Sequence, residues 1–377
     1  MIDIVSSLPA ELELASPEIK RYQRRKLWAG LASLGISMAV LAILAVWAAT
    51  KIDPWFSAIF GDSRWLRLAA WGFVVAASME LTTLPLAFWS SFVLEKQQGL
   101  STQTFGGWCW KQVKGWMVGG PLGLGLLFGL YALIWYGATY WWIWAALGWL
   151  VVTVVLGQLV PVIIVPLFYK VTRLDDAPLL DRLHRLAEGT GLTVEGIYRL
   201  DLSAETRKAN AALAGLGRTR RVLLGDTLLA QFTPEEIEVV FAHEVGHHVH
   251  RHLPKMIMGN VILAAAGLAL VDIALRHIAP ALGYRAFDDP AAFPLLALAL
   301  MLFGLPLGPL VNAVSRFFER QCDRYALERT HNPVAYVSAF TKLARLNKSD
   351  PDPNRLVVWL YHDHPPIRER LAMANAT

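Results

Sequence analysis

The residues best equipped for chemistry stand in one short run, Phe241-Ala242-His243-Glu244-Val245-Gly246-His247. Side chains four positions apart share one face of a helix, so His243 and His247 can turn two imidazoles toward one zinc ion. Glu244 is placed to take a proton from water activated by that metal, and the metal would also polarise a scissile carbonyl. This pattern works only on a helix. The preceding residues supply one: Thr233 as cap, Pro234 at the first position, Glu236 at the third, and Phe232 with Ile237 as an apolar staple. A His-rich surface helix is the plain alternative, and the capped onset counts against it.

A catalytic zinc needs a third protein ligand and an open position. His248, His250 and His252 are near, but neighbours point elsewhere around a helix and a later turn lies too far along its axis. They are read as facing solvent or supporting the ligands from behind. A metzincin would need Gly at position 250 and His at 253, where this chain has His250 and Leu253. Further on, Glu319 and Asp323 are spaced to share a face of a predicted helix, one to bind metal and the other to orient a histidine. Spacing alone leaves a second possibility open, in which both pair with Arg316, Arg320 and Arg324 on a solvated face.

The elements that hold these residues follow from composition. Of 377 residues, 55% are hydrophobic and 17% charged, against soluble norms of roughly 45–50% and about 25%. That excess excludes a disordered chain and is too large for one soluble core. Cys109 and Cys322 are too few and too far apart for a disulfide scaffold. A net charge of +5 without a basic patch gives no reason to expect a nucleic-acid partner. Six apolar stretches, 27–50, 66–93, 116–136, 141–167, 256–278 and 293–314, are long enough to cross a bilayer. The first follows Lys20, Arg21, Arg24, Arg25 and Lys26, and is too long and too far from the start for a cleaved signal peptide.

Trp135, Tyr136, Tyr140, Trp141 and Trp142 mark a short surface connection between the third and fourth spans. The basic N-terminus, the loop with Lys96, Lys111 and Lys114, and segment 170–255 fall on one side, which the positive-inside rule makes cytoplasmic. Arg64, Arg67, Arg276 and Arg285 run against that pattern. The expected organisation is a cytoplasmic segment 1–26, a four-helix membrane half 27–168, a zinc-peptidase domain 169–254, two further spans in 255–314, and a C-terminal part of the peptidase domain, 315–377. Within 169–254, residues 179–190 read as an amphipathic helix and 221–224 as a strand closed by Gly225-Asp226. Its core is small, so the C-terminal part is expected to complete it. Glu80, mid-span, should face the bundle interior, and Asp272, near a span end, should reach the interface.

With these residues in hand, the chain resembles the CAAX prenyl protease type 1 family of integral-membrane zinc endopeptidases, with bacterial heat-shock membrane proteases as more distant relatives. The likeness runs from about residue 80 to the C-terminus. It rests on Phe92-Val93-Leu94-Glu95 with Gly99 and Gln103-Thr104; on Asn210-Ala211 with Gly215 and 221–229; on the His243–His247 run; and on Ser315-Arg316-Phe317-Phe318-Glu319 with Asp323, followed by His364-Pro365-Pro366 and Glu369-Arg370-Leu371.

The resemblance implies a mainly α, multi-pass α-helical membrane protein with a small α+β gluzincin-type zinc peptidase domain. It implies one Zn2+ per chain on His243, His247 and Glu319, Glu244 as general base, and Asp323 behind a ligand histidine. Asn210 and Ala211 would hold an extended substrate at a strand edge, where an ordinary turn is the alternative. His364 and Arg370 would line the cleft and stabilise an oxyanion, where a charged tail loop is the alternative. Glu80, Gln158 and Asn260 are candidates for lining a chamber among the helices, where a hydrogen bond from each to a neighbouring helix is the alternative. Leu100-Ser101 and Cys322 depart from the family's usual Phe-Asn and Ala, and the extra N-terminal span of eukaryotic members is not expected.

The expected activity is hydrolysis of peptide bonds, removing C-terminal residues after a prenylated cysteine. The partners are a peptide or protein substrate, lipidated or not, and the bilayer. An Arg- and Ala-rich composition suggests a bacterial source, hence an inner membrane with the site facing the cytoplasm. The alternatives are quality control of non-prenylated membrane proteins and a zinc-bearing scaffold or transporter. Glu244 argues against the last, since transport needs no base beside the metal.

Overall fold

Each apolar stretch lies in a helix long enough to cross a bilayer in the computed structural model, which describes residues 16–192 and 196–375. The first four are α1 (Pro17–Phe60), α2 (Arg64–Gln97), α3 (Phe105–Tyr136) and α4 (Trp141–Phe168). Ser16 and Thr104 cap α1 and α3, their hydroxyls accepting the N–H groups of Ile19 and Gly107. The α3–α4 link is only Gly137 and one tight turn, Ala138–Tyr140, as the aromatic cluster required. Wide π turns interrupt three spans, at Leu44–Ala48, Trp89–Val93 and Val160–Ile164. Pro85 and Pro161 lie just before and within the last two, and a proline deprives the helix of a regular hydrogen bond there.

The polar segment then builds a four-stranded sheet. Its strands are β1 (Val171–Arg173), β2 (Gly196–Leu200), β3 (Ala211–Ala214) and β4 (Arg221–Gly225), with α5 (Ala177–Ala187) after β1. The order is β1-β2-β4-β3, with β2 and β4 parallel and the outer pairs antiparallel, so β3 forms one edge. Two helices follow, α6 (Asp226–Gln231) and α7 (Pro234–Val249), the latter carrying the His243–His247 run. The last two spans are α8 (His252–Ala281) and α9 (Phe293–Thr330), and α10 (Pro333–Leu346), α11 (Arg355–Tyr361) and α12 (Ile367–Met373) close the chain.

The peptidase core is assembled from distant parts. Leu183 of α5, Val222 and Leu224 of β4, and Phe241 and Val245 of α7 pack with Ala326 of α9, Tyr336 and Phe340 of α10 and Leu371 of α12. The C-terminal residues pack into this same cluster. Glu95, at the inner end of α2, ties this body to the membrane half: it binds Lys26 of α1 (3.0 Å), Lys208 before β3 (2.6 Å) and the Tyr22 hydroxyl (2.7 Å).

In the membrane half, Leu68, Trp71, Tyr131, Trp141, Leu275 and Leu296 form the buried interior, while Trp55, Phe73, Leu81 and Ile262 are exposed, as lipid-facing residues are. Two of the arginines that ran against the charge pattern are paired. Arg67 binds Asp53 and Asp289, and Arg276 binds Asp272 (2.9 Å). Asp272 is buried between helices, also accepting the Trp141 indole N–H at 2.8 Å, and the two donors replace water. Of the candidate chamber residues, Gln158 lines a cavity of about 580 Å³ beneath the β3–β4 turn, Glu80 is half-buried and Asn260 is exposed.

Candidate active site

Helix α7 starts where its capping residues dictate. The Glu236 N–H donates to the Thr233 hydroxyl (3.3 Å), and the Glu236 carboxylate accepts the Thr233 N–H (2.8 Å). That carboxylate is buried yet also bound by Lys342 at 2.7 Å. About three turns later α7 crosses α9 at Gly246. A methyl group there would meet the Cys322 Cα at 3.0 Å, closer than an ordinary contact, so the absence of a Cβ lets the helices approach this far. The crossing delivers Glu319, one turn before Cys322, onto the imidazoles of α7.

The convergence is tight. His243 Nε2 lies 3.1 Å from Glu319 Oε2, and His247 Nε2 lies 3.2 Å from Oε1. Ligands of a tetrahedral zinc are about 3.3 Å apart, from metal bonds of about 2.0–2.1 Å. Glu319 Oε2 is buried and, although near His243, has no hydrogen-bond partner among the described residues, an expensive arrangement without a cation. Two imidazoles and one carboxylate, with their donor atoms within 4.8 Å of one another, therefore fit a zinc-like metal.

Behind them, His243 Nδ1 faces Asp323 Oδ1 at 2.9 Å, and the guanidinium of Arg370 grips the same carboxylate through Nε (2.9 Å) and Nη2 (2.6 Å). Burial pushes the His243 imidazole down, but Asp323 and Glu319 outweigh it and raise it to about 9. Protons thus compete with a metal for this nitrogen. Two of the arginines in the solvated-face alternative have other partners. Arg316 donates to the carbonyls of Val358 and His362, and Arg320 pairs with Glu369, so neither holds Glu319 or Asp323.

Glu244 lies toward the sheet edge. Its Oε2 accepts the Leu213 N–H of β3 at 3.1 Å. Sequence reasoning missed this contact because a backbone donor leaves no side-chain signal. Along an antiparallel strand alternate residues face the same edge, so the main chain of Ala211 faces outward with that of Leu213. Asn210 is exposed, while its carbonyl accepts the Gly225 N–H at 2.9 Å. Asn210, Ala211, His243, Glu244, His364 and Arg370 all line one cavity of about 1020 Å³, whose far wall is α1.

His364 and Arg370 differ in what they can offer this cavity. His364 is half-exposed, with Nε2 3.4 Å from Glu319 Oε2, and hydrogen bonding to Asp363 raises its imidazole above the ordinary value against the effect of burial. Arg370 is buried, and its Nε and Nη2 serve Asp323, so its geometry is that of a support for Asp323. Of the three further histidines, His248 faces Arg220 (2.9 Å) and His250 stacks beside His252. His252 is wholly buried against His247, because α7 stops and the chain turns back at Arg251. Pro254, best tolerated in a helix's first turn, was the signal for that break.

The model for peptidase family M48 matches residues 173–377, more than half of the chain. The chain belongs to peptidase family M48. A second model, CAAX prenyl protease N-terminal with five membrane helices, matches residues 15–170, where the described residues hold four spans. The chain is 30% identical to the uncharacterized metalloprotease YhfN of Bacillus subtilis, covering 86% of this chain and 77% of that one. It is 30% identical to the CAAX prenyl protease 1 homolog of Arabidopsis thaliana (78% and 69% covered) and 28% identical to CAAX prenyl protease 1 of Saccharomyces cerevisiae (77% and 68%). The crystal structure of S. mikatae Ste24p shares its fold, with a TM-score of 0.82 and 23% identity over 95% of this chain and 88% of that one. This M48 member is a multi-pass membrane metallopeptidase that uses a metal cofactor and acts on peptides.

Proposed function

We propose that this protein is a zinc-dependent endopeptidase of the CAAX prenyl protease kind, removing C-terminal residues after a prenylated cysteine at the cytoplasmic face of a bacterial inner membrane. The observation that carries the reading is the meeting of His243, His247 and Glu319 beside Glu244, with His243, Glu244 and the strand-edge residue Ala211 lining one cavity. His243, His247 and Glu319 would hold the metal, which when bound supplies Lewis acidity toward water and the scissile carbonyl. Ala211 offers a main-chain N–H and carbonyl along which a substrate adds as a further strand, and Asn210 adds its side-chain amide. Glu244, held by the Leu213 N–H, takes the proton of the attacking water and returns it to the leaving amine. His364, in the protonated form that Asp363 favours, donates to the developing oxyanion, and Arg370 holds Asp323 behind His243. The cytoplasmic orientation is supported by Lys96, Lys111, Lys114 and the basic end of α1 on the site's side of the bilayer.

The decisive experiment pairs a variant with two substrates. Glu244→Gln should keep about one zinc per chain while cleavage falls by on the order of 10²–10⁴-fold, the usual contribution of a general base. Undiminished turnover in that variant would sink the mechanism. A farnesylated CAAX peptide should be cleaved well ahead of its non-prenylated control. Equal cleavage would move the reading to quality control of membrane proteins, and zinc without cleavage of either would move it to a scaffold or transporter.

A further inference from the structure

We propose that His252 and Gln321 form a directional hydrogen-bond chain that fixes the tautomer of His247 and thereby sets the metal affinity of the site. The inference rests on His247 being a metal ligand. Helix α7 ends at Val249, Arg251 takes a left-handed conformation (φ 55°), and His252 opens α8 folded back on the zinc helix. Its ring is 1% exposed and stacks on Phe318, with centroids 4.1 Å apart and planes 11° apart. His252 Nε2 is 2.9 Å from Gln321 Oε1, and Nδ1 is 3.2 Å from His247 Nδ1.

Proton counting gives the chain its direction. An amide oxygen only accepts, so the His252 proton sits on Nε2. A neutral ring then leaves Nδ1 as an acceptor, and His247 must supply the one proton between the two Nδ1 atoms. That leaves the His247 Nε2 lone pair aimed at Glu319 and the metal position. With the amide of Gln321 turned over, every bond would reverse and a proton would sit on His247 Nε2, where a metal needs the lone pair. The acceptor oxygen of Gln321 therefore selects the metal-binding tautomer, as a hydrogen-bonded partner does for most metal-bound histidines.

Cys322 Sγ also lies 3.5 Å from His252 Nδ1, and His247, His252 and Cys322 bring their donor atoms within 4.8 Å of one another. A second ion there would need the wholly buried thiol to lose its proton and would break the His247–His252 hydrogen bond. The direct bond is the better use of these atoms.

The test uses the full-length protein in detergent, with Gln321→Met, His252→Phe (which keeps the stack on Phe318) and the double variant. Zinc affinity is read by chelator competition, zinc content by elemental analysis, and stability by thermal unfolding of the metal-free forms. Each single variant should bind zinc about 10–100-fold more weakly, with metal-free Tm near that of the parent. The double variant should lose no more than His252→Phe alone, because Gln321 acts only through His252. Zinc affinity within twofold of the parent in Gln321→Met, additive losses in the double variant, or two zinc ions per chain would each overturn the proposal. A parent that binds no zinc would overturn the metal assignment as well, whereas normal peptide cleavage at saturating zinc in the variants leaves the proposed function standing.

Discussion

Gly246→Ala sets two physical effects against each other. In a helix interior alanine is more favourable than glycine by about 1 kcal/mol, so propensity alone predicts a stabler protein. The structure predicts the opposite. The added methyl meets the Cys322 Cα at 3.0 Å, Cβ at 3.2 Å and Sγ at 3.3 Å, and the first two belong to a rigid neighbouring helix. Relief to an ordinary contact moves α9 away from α7 by about 0.4 Å, and overpacking of this kind costs about 1–3 kcal/mol. The net loss is about 0–2 kcal/mol. Glu319 rides on α9, and a shift of about 0.4 Å exceeds the roughly 0.2 Å within which metal–ligand distances are held. Zinc affinity should fall about tenfold, which adds about 1.4 kcal/mol to the loss in the metal-loaded form. Thermal unfolding with zinc and with chelator, together with competition titration, measures both parts. A variant that unfolds at a higher temperature than its parent and binds zinc within twofold would refute the reasoning.

Two further outcomes are expected. Asp323→Asn leaves the buried Arg370 charge without its carboxylate, a loss of about 3–5 kcal/mol, and weakens zinc. Adding Arg370→Met should restore stability by removing the stranded charge while leaving zinc binding weak, a split that thermal unfolding and chelator competition read separately. Glu236→Gln should lower the metal-free Tm at neutral pH by loosening the cap of α7. Burial pushes the Glu236 carboxyl up, but Lys342, Ser338 and the Thr233 N–H outweigh it and hold it below 4.5. A depressed carboxylate contributes stability at neutral pH and loses it as pH falls through its folded value, so the Tm gap between parent and variant should close below pH 4.5. A gap constant with pH would contradict that account.

What could be read in advance was what local chemistry writes into the chain. The six spans are apolar over enough consecutive residues to leave no other solvent, and the Thr233–Glu236 cap announces α7 within a few positions. Glu319 and Asp323 were visible as a pair, but whether they faced His243 or their own arginines depended on Gly246 meeting Cys322 across more than one span. The pairing of Asp272 with Trp141 was not legible because the partner belongs to another helix. His252 was treated as part of the zinc helix, although Pro254 already argued that a new helix begins there. The Leu213 contact to Glu244 lies beyond any sequence reading, since every residue type offers the same N–H.

Helix α9 is one continuous rod from Phe293 to Thr330, so Glu319 sits on a lever anchored at the far side of the bilayer. From Phe293 to Glu319 the arm is about 39 Å long, at about 1.5 Å per residue. A one-degree tilt of that rod, of the kind a change in bilayer thickness imposes, sweeps its carboxylate by about 0.7 Å. The Gly246 crossing clamps α7 to the same rod, so His243, His247 and Glu319 swing together and the deformation is displaced into the α8–α9 hairpin. The three side chains can keep their spacing while the membrane around them thickens, thins or bends.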